Sequence, residues 1–485
     1  MVSLSKRTRL GWILFLLVVT EMPARAQNYY GIQGSWYAGS LGIGNNPASM
    51  VNTPFRWDVD ILSFQTKYAT NGVQIKNYSL LSSPQESQYV LSAGDYRRFA
   101  YTDFNINVLN ARFALNRRQA IALGMNLRGY AHLITAPYNF IDTLNSTRDF
   151  FNLGNFNRRV QGELNNSSWV ELFASYGQTI WDHPAYRLNA GITLKASRGI
   201  SGAYFDLQNG HVARTRHGAN DVLYTMRDVN AEYGYSANYD EWKKEKSNRQ
   251  NIRDFVRDTR GGFSFDLGVE FLIKPQIIPT AFDEDMYYDY DWKIGLSILD
   301  IGFNQYKYGL QSRQLSGFYD NITDSLIDER FLNVGSLAEF NDSLQGVVRN
   351  IQTPSGLFRV GNPARLVLNV DRFLFNAFYV NANLSVNLSS LSNNPWHVNE
   401  LNLLTITPRW ETRFWGAYLP VQFNRRNQFW VGGALKAGPL LIGIHNWANL
   451  FSKNKMANGG GYIALVLRAG RLTPKKLDKQ LECPR

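Results

Sequence analysis

Apolar and polar residues alternate one by one along most of this chain. Between 378 and 389, Phe378, Val380, Ala382, Leu384, Val386 and Leu388 share one parity; Tyr379, Asn381, Asn383, Ser385, Asn387 and Ser389 share the other. Successive strand side chains point to opposite faces, so this stretch presents one apolar face and one rich in amides and hydroxyls. The same period runs through 186–197, where Tyr186, Leu188, Ala190, Ile192 and Leu194 oppose Arg187, Asn189, Thr193 and Lys195. It runs through 263–274, where Phe263, Phe265, Leu267 and Val269 oppose Ser264, Asp266, Glu270 and Lys274, and through 121–128, where Leu123 and Met125 oppose Asn126 and Arg128. About 14 strands are expected: 57–69, 99–115, 119–133, 167–181, 186–200, 261–273, 291–306 and 365–372, then 376–390, 401–413, 417–424, 427–436, 438–446 and 460–469. The boundaries around 401–446 are soft, which keeps 12 and 16 as alternatives.

The strands that alternate most clearly run about 10–13 residues, against roughly 5–6 in globular proteins and about 9–11 for a tilted transmembrane strand. Connections alternate between tight ones, at 116–118 and 182–185, and long charged ones, at 201–260 and 307–364. Hydrocarbon leaves no unpaired backbone group tolerable, so a sheet spans a membrane only as a closed barrel. The expected fold is therefore all-β: a transmembrane antiparallel β-barrel over 57–469, with short periplasmic turns and long external loops. A secreted or surface β protein is the alternative. Arg128, Arg187, Lys195, Asp266, Glu270 and Lys274 fall on the lumen parity. Tyr186, Trp292 and Phe378 each open an outward row, as interfacial aromatic girdles do. This register makes arginine costly at Leu384 and mild at Asn383.

Composition narrows the class. Aromatic residues make up 14% and the mean hydropathy is −0.29, which excludes a bundle of transmembrane helices. The N-terminus reads as a signal peptide over 1–26: a basic "MVSLSKRTR", an apolar run of 11 residues, and the A-x-A of Ala24 and Ala26. Eleven apolar residues are too few to span a bilayer as a helix. The expected location is the cell outer membrane, with outer-membrane lipid as the first partner and 470–485 as a basic periplasmic tail. The one cysteine, Cys483, allows no internal disulfide. The net charge of +12 includes +3 from the leader (Lys6, Arg7, Arg9 and Arg25 against Glu21). In an exported chain this charge points away from nucleic acid, and pairs such as Arg117-Arg118, Arg158-Arg159 and Arg425-Arg426 read as solvated turns.

Candidate chemistry is sparse. The six histidines, His132, His183, His211, His217, His397 and His445, show no metal-ligand spacing. No G-x-S-x-G elbow and no P-loop is present. Asp283, Glu284, Asp285, Asp289 and Asp291 cluster in "FDEDMYYDYDW", which reads as a solvated turn because the EF-hand spacing is missing. The mixed-charge stretch 240–260 reads as a short exposed helix. No cofactor, metal or catalytic residue is assigned, and the protein is not expected to be an enzyme.

Residues 27–56 alternate poorly. "LGIGNNPASM" combines Gly42, Gly44, Asn46, Pro47 and Ala48, a composition suited to an irregular hinge or plug against the barrel interior; a surface turn is the alternative. An "NPA" in a Gly/Asn-rich segment after a leader resembles the long-chain fatty-acid transporter barrels and the barrels associated with type IX secretion, whose leading segment packs inside as a plug. The run "LNLLTITPRWETRFWGAYLPVQFNRRNQFWVGGALKAGPLLIGIHN", 401–446, resembles an uncharacterised outer-membrane family of Bacteroidota, a domain of unknown function. Together the resemblances imply a plugged barrel that acts as a passive channel or carrier for a small solute, hydrophobic solutes included. The alternative is a non-transporting barrel that binds secretion or surface proteins through the loops 201–260 and 307–364.

Overall fold

The computed structural model describes residue 29 and residues 31–471, apart from 80, 83, 84, 86, 217–221, 276–289, 392, 393, 452, 454 and 455. The leader, Cys483 with the tail beyond 471, His217, and the carboxylates Asp283, Glu284, Asp285 and Asp289 lie outside the described residues.

Fourteen antiparallel staves form one closed barrel. They are β1 (Phe55–Thr70), β2 (Gly94–Asn116), β3 (Gln119–Phe140), β4 (Gly162–Asp182), β5 (Tyr186–Arg216), β6 (Arg260–Ile273) and β7 (Trp292–Lys307). Then follow β8 (Leu357–Gly361 and Arg365–Phe375), β9 (Phe378–Asn387), β10 (Leu403–Glu411), β11 (Trp415–Tyr418 and Val421–Asn424), β12 (Phe429–Val431 and Gly433–Ala437), β13 (Leu440–Ile444) and β14 (Asn458–Arg471). The ring closes because β1 pairs with β2 on one side and with β14 on the other, Phe55 lying opposite Arg471. Two of the broken staves are interrupted at proline, Pro363 in β8 and Pro420 in β11, where the missing N–H cannot serve the ladder.

Each expected strand has its stave, with two corrections. The first is length. β2, β3 and β4 run 23, 22 and 21 residues and β5 runs 31, far beyond what a bilayer needs. The second concerns the long connections, which are folded. The outer half of β5 pairs with the strand Val222–Tyr235, which pairs with Arg313–Phe318, which in turn pairs with Val348–Gln352. Helices α1 (Thr147–Asn152), α3 (Asp324–Arg330) and α4 (Leu337–Gln345) close over this extension; their N-caps Ser146, Thr323 and Ser336 each accept a hydrogen bond from the backbone N–H three residues on. Phe151, Tyr224, Tyr233, Leu315, Leu344 and Val348 form its hydrophobic core. Between β5 and β6 lies α2 (Asn248–Arg257), the helix expected within 240–260, opened by a capping box of Ser247 and Gln250.

Burial alternates along the staves. Leu123, Leu194, Leu267 and Leu384 are exposed, while their neighbours Asn126, Lys195, Asp266 and Asn383 are buried inside. Tyr186 and Phe378 stand exposed at the end holding the tight turns, joined there by Trp181, Phe375, Phe414 and Trp415. Trp292, at the same end, is half-buried under the Arg372 guanidinium, which stacks 4.6 Å from its ring. Asn383 overturns the expected mildness on the inward face. It is only 2% exposed and accepts a hydrogen bond from the Asn369 amide, so this interior is packed rather than open.

Candidate functional site

A 14-stave barrel lies between eight-strand barrels, which their own side chains fill, and 16–18-strand porins, which hold a water channel. Here two segments of the chain fill the difference. From the tight-turn end, residues 31–52 lie inside against β1, β4, β5, β6 and β7. From the opposite end, the connection 394–402 dips inward. Val398 donates its N–H to the Gly361 carbonyl, and Gly361 returns one to Trp396, both within 3.0 Å.

The sequence explains how the N-terminal segment fits. Asn46 caps a 3-10 helix at Pro47–Val51 by accepting the Ala48 N–H, and its amide donates to the Val269 carbonyl at 2.9 Å. Pro47 takes the first helical position, where its missing N–H costs nothing. The wall opposite is made of glycine. Gly177 pairs with Gly191, and Gly191 with Gly268, across three adjacent staves. A Cβ on Gly191 would stand 2.5 Å from the Pro47 carbonyl carbon and the Ala48 nitrogen; one on Gly268 would stand 2.1 Å from Asn46 Oδ1. The Asn46-Pro47-Ala48 turn therefore sits in a trough from which side chains have been removed.

Backbone freedom is expected of Gly39, Gly42 and Gly44; Gly39 uses it, and Gly42 and Gly44 have other roles. The left-handed positions of the segment are Gly34 and Gly39, at φ +71° and +55°. Gly42 is a packing glycine, with Ala38 Cβ and Ser49 Oγ each 3.1 Å from where its Cβ would be. The Gly44 carbonyl accepts from Arg365 Nη2 at 3.3 Å.

The rest of the seat is made by barrel cations and hydroxyls bonding to backbone carbonyls. Lys293 donates to Gly34 O, Ser297 to Asn45 O and Arg112 to Met50 O. Asp58 accepts from Ser40 N–H and from Arg112 Nε. Nearer the entry, Ser35 donates to Glu411, which also takes Lys436 and Arg409, and Arg409 forks onto Asp371. These groups are almost fully buried. Since desolvation of an ion pair roughly cancels its attraction, such a network fixes geometry more than it adds stability.

Above the segment the charges converge on Asp300. Its carboxylate accepts from Arg128 at 2.5 and 2.8 Å and from Lys195 at 2.6 Å, and it lies 3.3 Å from Arg365; its own N–H donates to Asp266. Asp300 has φ +60° at a register break between Ile298 and Ile301. That bulge turns it inward, where strict alternation points it at lipid. Arg365 then joins three parts: Asp300 on the wall, Glu400 on the inward connection at 2.6 Å, and Gly44 on the N-terminal segment. Lys67 bonds Asp103 at 3.3 Å and reaches Glu400 at 4.0 Å.

Of the six lumen candidates, Arg128, Lys195 and Asp266 belong to this hub. Glu270 lies lower, accepting from Asn189 at 3.3 Å. Arg187 and Lys274 are at the tight-turn rim, both on Asp182, at 3.4 and 2.7 Å. Sequence reading passed over Asp371, Arg409 and Glu411, although strand parity placed each inward; Asp58 and Arg112 lie in staves whose parity reverses partway, at bulges between Asp60 and Leu62 and between Val108 and Ala111. Asp300 and Glu400 had no such signal, one being hidden by a bulge and the other by a connection.

Around the segment the lumen keeps a cavity of ≈ 40 Å³ between Leu41–Asn45 and Asn107, Asn126, Glu171, Lys195 and Asp266, and a smaller one of ≈ 20 Å³ between Gly34, Asn46, Glu270 and Lys293. On this scale about 10–15 Å³ holds one water, so the spaces suit about one to three waters each. Towards the cap, an aromatic layer of Tyr130, Trp169, Tyr204, Tyr306 and Phe358 is lidded by Trp396 and Val398; Trp396 stacks on Tyr204 at 4.1 Å.

A family model described as "Family of unknown function (DUF5723)" matches residues 47–444. No curated protein matches. Among solved structures, the Ralstonia pickettii toluene transporter TbuX is similar at 11% identity over 92% of this chain and 95% of that one, with a TM-score of 0.40. A Pseudomonas aeruginosa FadL homologue is 11% identical over 92% and 98%, with a TM-score of 0.42. The Pseudomonas putida toluene transporter TodX is 10% identical over 91% and 93%, with a TM-score of 0.27.

Proposed function

The chain belongs to this family of unknown function, and we propose that it is an outer-membrane gated barrel, a passive channel or carrier for a small solute, with residues 31–52 as its movable closure. The observation that carries this reading is the way the segment is seated. It rests in a glycine trough and is gripped mainly through its carbonyls by Lys293, Ser297, Arg365 and Arg112. Such contacts are non-covalent and can be exchanged for water, so the segment is held in register without being built into the sheet. While it stays seated, the two cavities beside it leave room for water and none for a larger solute.

The aromatic layer under Trp396 favours a hydrophobic solute. Lifting 394–402 uncovers Tyr204 and Phe358, whose rings bind apolar molecules. The same movement withdraws Glu400 from Arg365, the residue that also holds Gly44. Solute capture at the outer end is thereby linked to release of the segment.

The test is flux through vesicles reconstituted with the mature chain, with and without residues 27–50, using toluene-sized apolar solutes and small sugars. Faster flux of the apolar solute after deletion supports the gate. No flux in either form, from barrels shown to be folded, sinks it. That outcome favours the alternative of a non-transporting barrel that binds secretion or surface proteins, a reading to which the preformed core of the cap lends its support.

A further inference from the structure

The outward face of β5–β8 changes character at one level. Ala196, Phe263 and Phe303 form a cross-strand row of the lipid-facing belt, with Phe263 exposed. The next outward step carries Arg198 opposite Gly261 and Gln305 opposite Arg359, and the step beyond carries Lys307 opposite Leu357. Over these two steps Arg198, Arg359 and Lys307, all exposed, join the outward face, with Leu357 still among them. An outward apolar band that ends in cations is the pattern a barrel needs where acyl chains give way to headgroups.

α2 springs from that row. Arg198 donates to the Thr259 hydroxyl at 2.9 Å, and Lys307 reaches Asp258 at 3.5 Å. Phe255 folds back onto Tyr239, whose hydroxyl bonds Ser201, so the helix is tied to the barrel at both levels. Its inner face carries the buried Asn251 and Asp254. Its outer arc carries exposed Ile252 and Val256 beside Arg249, Arg253 and Arg257, one turn apart. Trp242, edge-on to Phe255 of the helix at 6.1 Å, is exposed as well. The stretch 241–260 holds seven lysines and arginines against four carboxylates. Three of those carboxylates are engaged internally, Asp254 by Lys246 (with Arg253 at 3.5 Å), Glu241 by the same Lys246 at 3.7 Å, and Asp258 by Arg260 and Lys307.

We propose that the outer arc of α2, with Arg198, Lys307 and Arg359, is a binding site for the phosphate-bearing lipids of the outer leaflet. Ile252, Val256 and Trp242 enter the acyl boundary, and the arginine stripe and the basic row grip the headgroup phosphates. Both requirements of an interfacial helix are met, an apolar strip and flanking cations. The patch is also continuous with the lipid-facing belt just below it. The site needs only the transmembrane barrel and does not depend on whether anything passes through the lumen.

The test uses the full mature chain with Cys483→Ser, labelled with an environment-sensitive fluorophore at Ile252→Cys or, as a control on an exposed position preceding the helix, at Lys244→Cys. Vesicles contain brominated phosphatidylcholine alone or mixed with phosphatidylglycerol. The expected result is several-fold stronger bromine quenching at 252 than at 244, increased by phosphatidylglycerol. In R249Q/R253Q/R257Q, which leaves the barrel wall untouched, the phosphatidylglycerol dependence disappears. Equal iodide accessibility at 252 and 244 in both vesicles overturns the proposal. So does quenching that ignores phosphatidylglycerol, or protection of 252 that grows with protein concentration in detergent, which would put a second copy of this chain on the face.

Discussion

The lumen around Asp300 and the cap around Tyr224 are both closed to water, yet they are filled with different residues. In the lumen, carboxylates and cations interlock: Asp58 with Arg112, Asp300 with Arg128, Lys195 and Arg365, Asp371 with Arg409. In the cap, Phe151, Tyr224, Leu315, Leu344 and Val348 pack as in a soluble core. The difference follows from what each region has outside it. The cap faces water and must bury its apolar groups inward, which stabilises it by the hydrophobic effect. The barrel faces lipid, so its apolar groups already point outward, and polar groups are left for the inside. A lumen so built holds position by directed contacts, and directed contacts release when one partner is withdrawn.

The largest expected effect tests that contrast in the lumen. Arg112→Met leaves Asp58 buried beside an apolar chain and removes the grip on Met50 O. Breaking a buried pair this way costs about 3–5 kcal/mol. Adding Asp58→Leu should recover much of the loss, because an apolar replacement of the whole pair is often neutral. Urea unfolding of the two variants in lipid vesicles measures this. A double variant no better than the single would mean that the pair is more than mutual compensation.

A similar or smaller loss is expected in the cap. Leu344→Ala removes a buried side chain from its core, at about 2–5 kcal/mol. The loss should stay local. Amide exchange should quicken in 222–235 and 313–352 while β1–β4 keep their protection, since the cap is joined to the barrel chiefly by the outer half of β5. Matching loss of protection in β1 would show that cap and barrel fold as one unit and would dissolve the comparison.

The two regions also differ in how much the sequence discloses. Every stave was legible because one-by-one alternation persists wherever lipid and lumen lie on opposite sides, as in Phe378–Leu384. The inward placement of Arg128, Lys195 and Asp266 came from the same rule. Asp300 escaped it because a single bulge reverses parity, and bulges leave no mark in composition. The pairing of Arg365 with Glu400 joins positions far apart in space before folding, and no local pattern encodes it. The cap was read as loops, although its helices carry cap signals at Ser146-x-x-Asp149 and Ser336-x-x-Glu339. Those signals were overlooked because strands and short helices there alternate too quickly for either period to build up. The trough of Gly177, Gly191 and Gly268 was visible only as scattered glycines until cross-strand register aligned them.

The smallest effect belongs to an ion pair that neither region encloses. Arg158 forks onto Asp95 at the outer ends of the staves, with both side chains about half exposed to solvent. The hydrogen bonds from Arg158 hold the Asp95 carboxyl below its ordinary range. A carboxyl whose folded value is depressed gives its stabilisation above the unfolded value, about 3.9, and loses it as the pH falls through the folded one. Wild type should therefore exceed Arg158→Gln slightly at neutral pH, and the gap should close below about pH 4. Raised salt should shrink it as well, because exposed pairs are screened. Proteolytic nicking near 94–95 and 158–160, followed against pH, reads this directly. A gap that persists in acid or in salt would mean that Arg158 acts through its hydrogen bond to the Pro137 carbonyl rather than through charge, which would make this exposed pair resemble the carbonyl-gripping cations of the lumen.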